Sequence, residues 1–326
     1  MPGALIASQF QLSSNSGSGS NSGFWAADLA LALGAVALWS TVATAFKLGL
    51  TLFTPLQLVT VSVVIATLFF LTISLATQRL ENRALVKLRQ SGALRRAMGL
   101  GILNPLLYYV VLFAAYDRLP AQVAQPVNYT WSITLALLAV PLLGQRISKS
   151  QLAGMLLSYA GVVLIVVPAA TDNSGASLSW FGVFLALAST LIWAFYWLLN
   201  ARDTGDAITM MTVSFVTACP LLLLLCLLID GWPELNLQGL MYAGWTGIAE
   251  MGLAFLCWQL ALRKTRRTAF LGQLIFLAPF VSLLLIHYVL GEAVQLTSVL
   301  GLAIIVVGLI WSARSTAPNS GASGTV

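Results

Sequence analysis

Charge is the scarcest property of this chain. Only 8% of its 326 residues are Asp, Glu, Lys or Arg, against roughly 25% in ordinary soluble domains. Histidine occurs once, as His287, which excludes a His-Glu-x-x-His zinc site. There is no phosphate-binding Walker loop, and Gly99-Leu100-Gly101 lacks the strand-to-helix setting of a nucleotide fingerprint. The three cysteines, Cys219, Cys226 and Cys257, all fall in apolar runs. There they pack as small hydrophobes and say nothing of redox compartment. Only one carboxylate, Glu250, lies well inside an apolar run, so paired buried acids are missing too. These gaps disfavour hydrolase and ATPase chemistry, and no metal or cofactor is expected.

What remains is apolar. Residues of that kind make up 59% of the chain, more than a soluble core absorbs without burying the whole circumference of every helix. Ten runs reach membrane-spanning length: 28–48, 56–76, 97–115, 121–142, 150–168, 180–199, 208–228, 238–261, 268–288 and 295–313. They are continuous rather than alternating, which favours helices over barrel strands. Between the third and fourth stands only Tyr116-Asp117-Arg118-Leu119-Pro120, a tight hairpin with Pro120 opening the next helix. Residues 1–27 are a Ser/Gly-rich tail expected to be disordered, without the basic start and long apolar stretch of a cleaved signal. Residues 314–326 form a second, short flexible tail.

The net charge of +6 points to orientation, not to nucleic acid. Fourteen basic residues fall in alternate loops or after the last run, and only Lys47 and Arg118 fall on the other side. This bias places both termini in the cytoplasm and fits an even number of spans.

The chain also repeats itself. Gly144, Gly154 and Gly161 match Gly291, Gly301 and Gly308, at intervals of ten and seven in each set. Leu38-Trp39 matches Ile192-Trp193, and Gly101 matches Gly247. Residues 28–168 and 180–313 are therefore read as repeats of five spans each. An odd number turns the second repeat upside down. The expectation is an all-α integral membrane protein with ten transmembrane helices in two inverted-topology repeats. Gly154 and Gly161, two turns apart, serve close helix packing.

Candidate solute contacts stand out against this background. Gln122, Gln125, Tyr129 and Ser132 share a face of the fourth run, flanked by Asn128. The stripe either lines a wet cavity or supplies hydrogen bonds between helices. Pro126 interrupts that helix and frees a carbonyl. Trp39 and Trp193, at matched positions, either bracket a solute or pack; Trp197 lies one turn beyond. Glu250 either serves as a proton or ammonium partner or sits nearer the interface. His287, at the end of a run, reads as interfacial.

Leu38-Trp39-Ser40-Thr41, Ile192-Trp193-Ala194, the two Gly-x6-Gly runs and Gly291-Glu292 together resemble EamA-type exporters of the drug/metabolite transporter superfamily. The first half has Gly144-Gln145 where the second has Gly291-Glu292. Val127-Asn128-Tyr129-Thr130-Trp131 is similar to a run in YddG-type aromatic amino acid exporters, which carry Pro where this chain has Ser132. The resemblance implies a ten-helix exporter of the bacterial inner membrane, its cavity lined largely by spans one, three, four, six, eight and nine. Tyr108 and Trp131 join the candidates through depth and through this match.

With few fixed charges, the site suits a zwitterion with a planar or apolar side chain better than an anion. The expected function is export of aromatic or other neutral amino acids by alternating access, with the solute and the lipid bilayer as partners. Another small metabolite or drug is the alternative substrate, and a membrane-embedded enzyme or a scaffold is the rival class. Flux into liposomes separates them.

Overall fold

The computed structural model describes residues 22–77, 92–143, 147–171, 178–200, 206–264 and 274–314. Several sequence features lie outside the described residues: Gly144 and Gln145, most of both tails, Asp172, and the bulk of the basic loops, including Arg79, Arg83, Lys87, Arg202 and Arg266. Residues 22–27, grouped with the N-terminal tail by composition, begin the first helix.

In the first half, α1 (Ser22–Ser40) and α2 (Val42–Gly49) are followed by α3 (Pro55–Ala76). Next come α4 (Ala93–Gly101), a π-helical segment (Ile102–Leu107) and α5 (Tyr108–Arg118). α6 (Ala121–Asn128), α7 (Trp131–Leu143) and α8 (Lys149–Thr171) complete the half. In the second, α9 (Trp180–Asn200) and α10 (Ala207–Ile229) lead to α11 (Leu237–Gly244), a second π-helical segment (Trp245–Ala254) and α12 (Phe255–Lys264). A short 3₁₀ turn (Ile275–Leu277) opens α13 (Ala278–Leu290), and α14 (Leu296–Arg314) closes the fold. No strand occurs among the described residues.

Seven helical segments are long and apolar enough to cross a membrane: Leu29–Gly49, Pro55–Ala76, Ala93–Arg118, Lys149–Pro168, Trp180–Asn200, Ala207–Ile229 and Leu237–Ala261. Two further apolar helices, Ile275–Leu290 and Leu296–Ser312, are shorter. The run read as a fourth span is divided between α6 and α7, which meet at Tyr129 and Thr130. Pro126 has no amide for the carbonyl of Gln122, and the helix loosens within a turn of it.

The outer surface is apolar and much of the inside is small or polar. Leu156, Phe184, Leu228 and Leu237 are exposed, while Ser62, Ser74, Ser158 and Thr130 are buried. An exterior this apolar is unlike that of a soluble protein and suits contact with lipid. Some buried hydroxyls satisfy their own helix and reach across to the next. Ser214 Oγ donates within reach of both Met210 O and Ala97 O, each at 2.9 Å. Ser158 Oγ lies 3.0 Å from Ile305 O.

A seam of paired glycines joins α8 to α14. A Cβ on Gly154 would come within 2.7 Å of Gly308 O, and one on Gly308 within 2.5 Å of Gly154 O. Gly161 and Gly301 approach in the same reciprocal manner, at 2.5 and 2.7 Å. No larger residue fits without moving a backbone. Gly101 lies against Ser214 O and its repeat equivalent Gly247 against Ser62 O, at 2.3 and 2.4 Å from the added Cβ. Each third span is thus pressed on the second span of the opposite half.

Candidate functional site: an aromatic cavity with one carboxylate

Four helix interruptions surround one central cavity. α1 gives way to α2 at Thr41, just after Trp39. Asn104 takes an extended backbone (φ −147°, ψ 118°) because Pro105 disfavours the helical region for the residue before it; Tyr108 follows one turn later. The third interruption is Tyr129–Thr130. The fourth is the π-helical segment that carries Glu250, a distortion common at functional sites.

The cavity measures about 70 Å³ and is bounded by Trp39, Phe46, Tyr108, Gln125, Asn128, Tyr129, Trp131, Trp193, Trp197, Glu250 and Trp258, with Val42, Leu112, Tyr116 and Ile275. Eight of the sequence candidates therefore converge on one space: Trp39, Tyr108, Gln125, Asn128, Tyr129, Trp131, Trp193 and Glu250. Ser132 is not on the lining; its hydroxyl is buried without a hydrogen-bond partner among the described residues. The break at Tyr129–Thr130 turns it off the stripe.

Trp193 is the hub of the aromatic wall. It stacks on Tyr108, with centroids 4.4 Å apart and planes at 30°. It meets Trp131 at 6.4 Å and Trp197 at 5.9 Å edge-on. Phe255 connects the halves: its ring lies edge-on to Trp193 at 5.5 Å and to Trp39 at 5.7 Å. Behind that wall, Phe255 borders a smaller cavity of about 10 Å³ with Asn104, Tyr196, Met211, Ser214 and Phe215. Trp258 packs on Trp39 at 5.4 Å.

Polar groups are few and specifically held. Tyr109 Oη donates to Glu250 Oε1 at 2.5 Å. Glu250 Oε2 and Gln125 Oε1 are buried acceptors without a partner among the described residues, and Trp197 Nε1 is a buried donor in the same position. Asn128 donates from Nδ2 to Ser189 Oγ at 2.8 Å, and Tyr108 Oη lies 3.4 Å from Asn128 Oδ1. Sequence reasoning missed Phe255 and Trp258. Phe255 stands five residues after Glu250, off its face in a regular helix, and Trp258 eight residues after it, within the same broad stripe.

One end of the cavity, beside Tyr116, is closed by charged groups gripping helix ends. Lys47 Nζ donates to Tyr116 O and Leu119 O, both at 2.9 Å. Glu292 accepts from the amides of Ala121 at 3.1 Å and Gln122 at 3.4 Å. A cation on the terminal carbonyls of α5 and an anion on the first amides of α6 both oppose the local helix dipole. Gln122 belongs to this closure: its Nε2 donates to Ala293 O, and its Oε1 accepts from Gln295 N and Ser298 Oγ.

A multi-pass integral membrane protein that encloses an aromatic and polar cavity between two matching halves is built as a transporter. This chain belongs to the EamA-like transporter family, matched by residues 27–167 and again by 180–314, within the drug/metabolite transporter superfamily. An uncharacterized protein of Pseudomonas aeruginosa is 32% identical over 158 residues, 48% of this chain and 53% of that protein. The aromatic amino acid exporter YddG of Ancylobacter novellus is 28% identical over 182 residues, 55% and 62% of the two chains. Protein PecM of Dickeya dadantii is 29% identical over 227 residues, 67% and 73%. The first two matches span little more than half of each relative's length. A solved crystal structure superposes on 89% of this chain and 98% of its own, with a TM-score of 0.62 at 23% identity; that likeness is one of fold.

Proposed function

We propose that this protein is a secondary carrier exporting amino acids with aromatic or other apolar side chains. The carrying observation is the meeting of Trp39 and Trp193, one from each half, on the shared edge of Phe255 beside a cavity with several hydrogen-bonding side chains. Flat walls take an aryl side chain by stacking, and Gln125, Asn128 and Trp197 offer neutral hydrogen bonds to the polar end. The relative named as an aromatic amino acid exporter supports the same substrate class, and membership in a transporter family favours transport over catalysis.

The proposed architecture is ten spans in two inverted repeats with both termini cytoplasmic, in a bacterial inner membrane. Its support is the positive-inside charge bias, the double family match and the reciprocal glycine contacts, which exchange partners under a twofold swap of the halves. The small size of the cavity supports alternating access. At about 70 Å³ it is far below the roughly 300–1,000 Å³ of an occupied small-molecule site. Binding therefore needs the halves to part. The end beside Tyr116, held by Lys47 and Glu292, is the outer gate in this orientation.

The test is counterflow in liposomes containing the purified protein. Labelled phenylalanine is expected to exchange with unlabelled Phe, Tyr or Trp, and far less with Glu or Lys. Exchange that ignores the side chain removes the aromatic reading; absence of amino acid exchange altogether removes the substrate class.

A further inference from the structure

We infer that the cavity selects its ligand by a protonated amine, with Glu250 as the ammonium anchor, so that aryl-alkyl amines lacking a carboxylate are ligands of the same site. This deepens the proposed function and rests on the cavity being the solute site. Glu250 is only 6% exposed, yet just one of its oxygens is bonded. Tyr109 holds Oε1 and thereby fixes the carboxylate, while Oε2 is left open. Gln125 Oε1 is a second open acceptor on the same lining. The opening is surrounded by Trp39, Tyr108, Tyr129, Trp193 and Trp258, whose electron-rich faces attract an alkylammonium.

Charge balance narrows the ligand further. No Lys or Arg is among the described lining residues, and the ammonium of Lys47 is engaged by two carbonyls at the closed end. A ligand carboxylate meets only neutral donors there, whereas a ligand ammonium meets the one lining carboxyl that can ionise to pair with it. A buried unpaired charge is costly, and an opposite charge with hydrogen bonds offsets that cost. An amine cation supplies the opposite charge that lets the buried Glu250 ionise and pair. The ammonium is then the obligatory feature and the carboxylate dispensable.

The experiment uses three probes on the full-length protein in liposomes: phenylalanine, phenylethylamine (no carboxylate) and phenylpropionate (no ammonium). Phenylethylamine is expected to inhibit labelled phenylalanine exchange at least as well as unlabelled phenylalanine, and phenylpropionate about ten- to hundredfold less, the worth of a charged hydrogen bond. Inhibition by phenylpropionate but not phenylethylamine overturns the inference while leaving amino acid transport standing. If no amino acid exchanges, quenching of the protein's tryptophan fluorescence by phenylethylamine decides. Saturable quenching, weakened about tenfold or more in Glu250→Gln, upholds the anchor and discards the amino acid reading. No saturable quenching discards both. Should Glu250→Gln fail to fold, the wild-type ranking of amine against acid still decides.

Discussion

Lys47 donates from Nζ to the carbonyl oxygen of Leu119, 2.9 Å away across 72 residues of sequence. Glu292 grips the other side of the same hairpin at Ala121. Lys47→Met removes the cation from two helix-end carbonyls, at a cost of about 1–3 kcal/mol. With the three native cysteines changed to Ser, a cysteine placed at Leu112 is expected to react faster with an impermeant maleimide applied outside cells once Lys47 is Met. Glu292→Gln should act in the same direction but more weakly, because an amide oxygen still accepts from the backbone. Equal labelling rates with and without Lys47 would show that this end is sealed by something else.

The shared contact on Phe255 makes Trp39 and Trp193 energetically coupled. Trp39→Phe and Trp193→Phe are each expected to weaken phenylalanine binding about two- to tenfold through lost stacking. Residues linked through a common neighbour depart from additivity, so the double variant should lose less than the product of the two. Counterflow at matched membrane abundance measures this. Unchanged exchange in both single variants removes the cavity as the solute site.

At the seam, Gly161→Ala forces a methyl to 2.5 Å from Gly301 O and is expected to lower stability by about 1–3 kcal/mol. Gly34 has nothing within 4 Å of an added Cβ. Gly34→Ala should therefore be neutral or gain up to about 1 kcal/mol from helix propensity. Thermal unfolding in one detergent compares the pair. A more stable Gly161→Ala would contradict the close approach.

Orientation has its own test. A reporter fused after Val326 is expected to read cytoplasmic, and a tag inserted at 172–177 to be labelled from outside. Finding both positions outside overturns the proposed topology.

Much of the cavity was legible before any coordinates. Trp39 and Trp193 were marked by position in matched halves, and Gln125, Asn128 and Tyr129 by a polar stripe where lipid permits none. The stripe carried no information on depth, so Gln122 looked like its neighbours but serves the closure at Ala293 and Ser298. It also assumed an unbroken helix, which is why Ser132 left the lining. Phe255 was hidden because it follows a π-helical register that 3.6-residue periodicity does not encode, and Trp258 because apolar aromatics in these spans are too common to stand out. Lys47 read as a stray outer charge, since nothing local announces a partner so far along the chain.

The glycine seam has a mechanical consequence. Two helices in backbone contact have no side chains between them to re-pack, so α8 and α14 make a poor sliding surface and a good fulcrum. Compliance then falls to the places where the helices are already discontinuous: Thr41, Asn104, Tyr129 and the turns around Glu250. Thr41 stands between the lining residues Trp39 and Val42, Tyr129 and Glu250 are themselves on the lining, and Asn104 borders the smaller cavity behind Phe255. The molecule is thus stiff where α8 meets α14 and more pliant in the interrupted helices around the cavity.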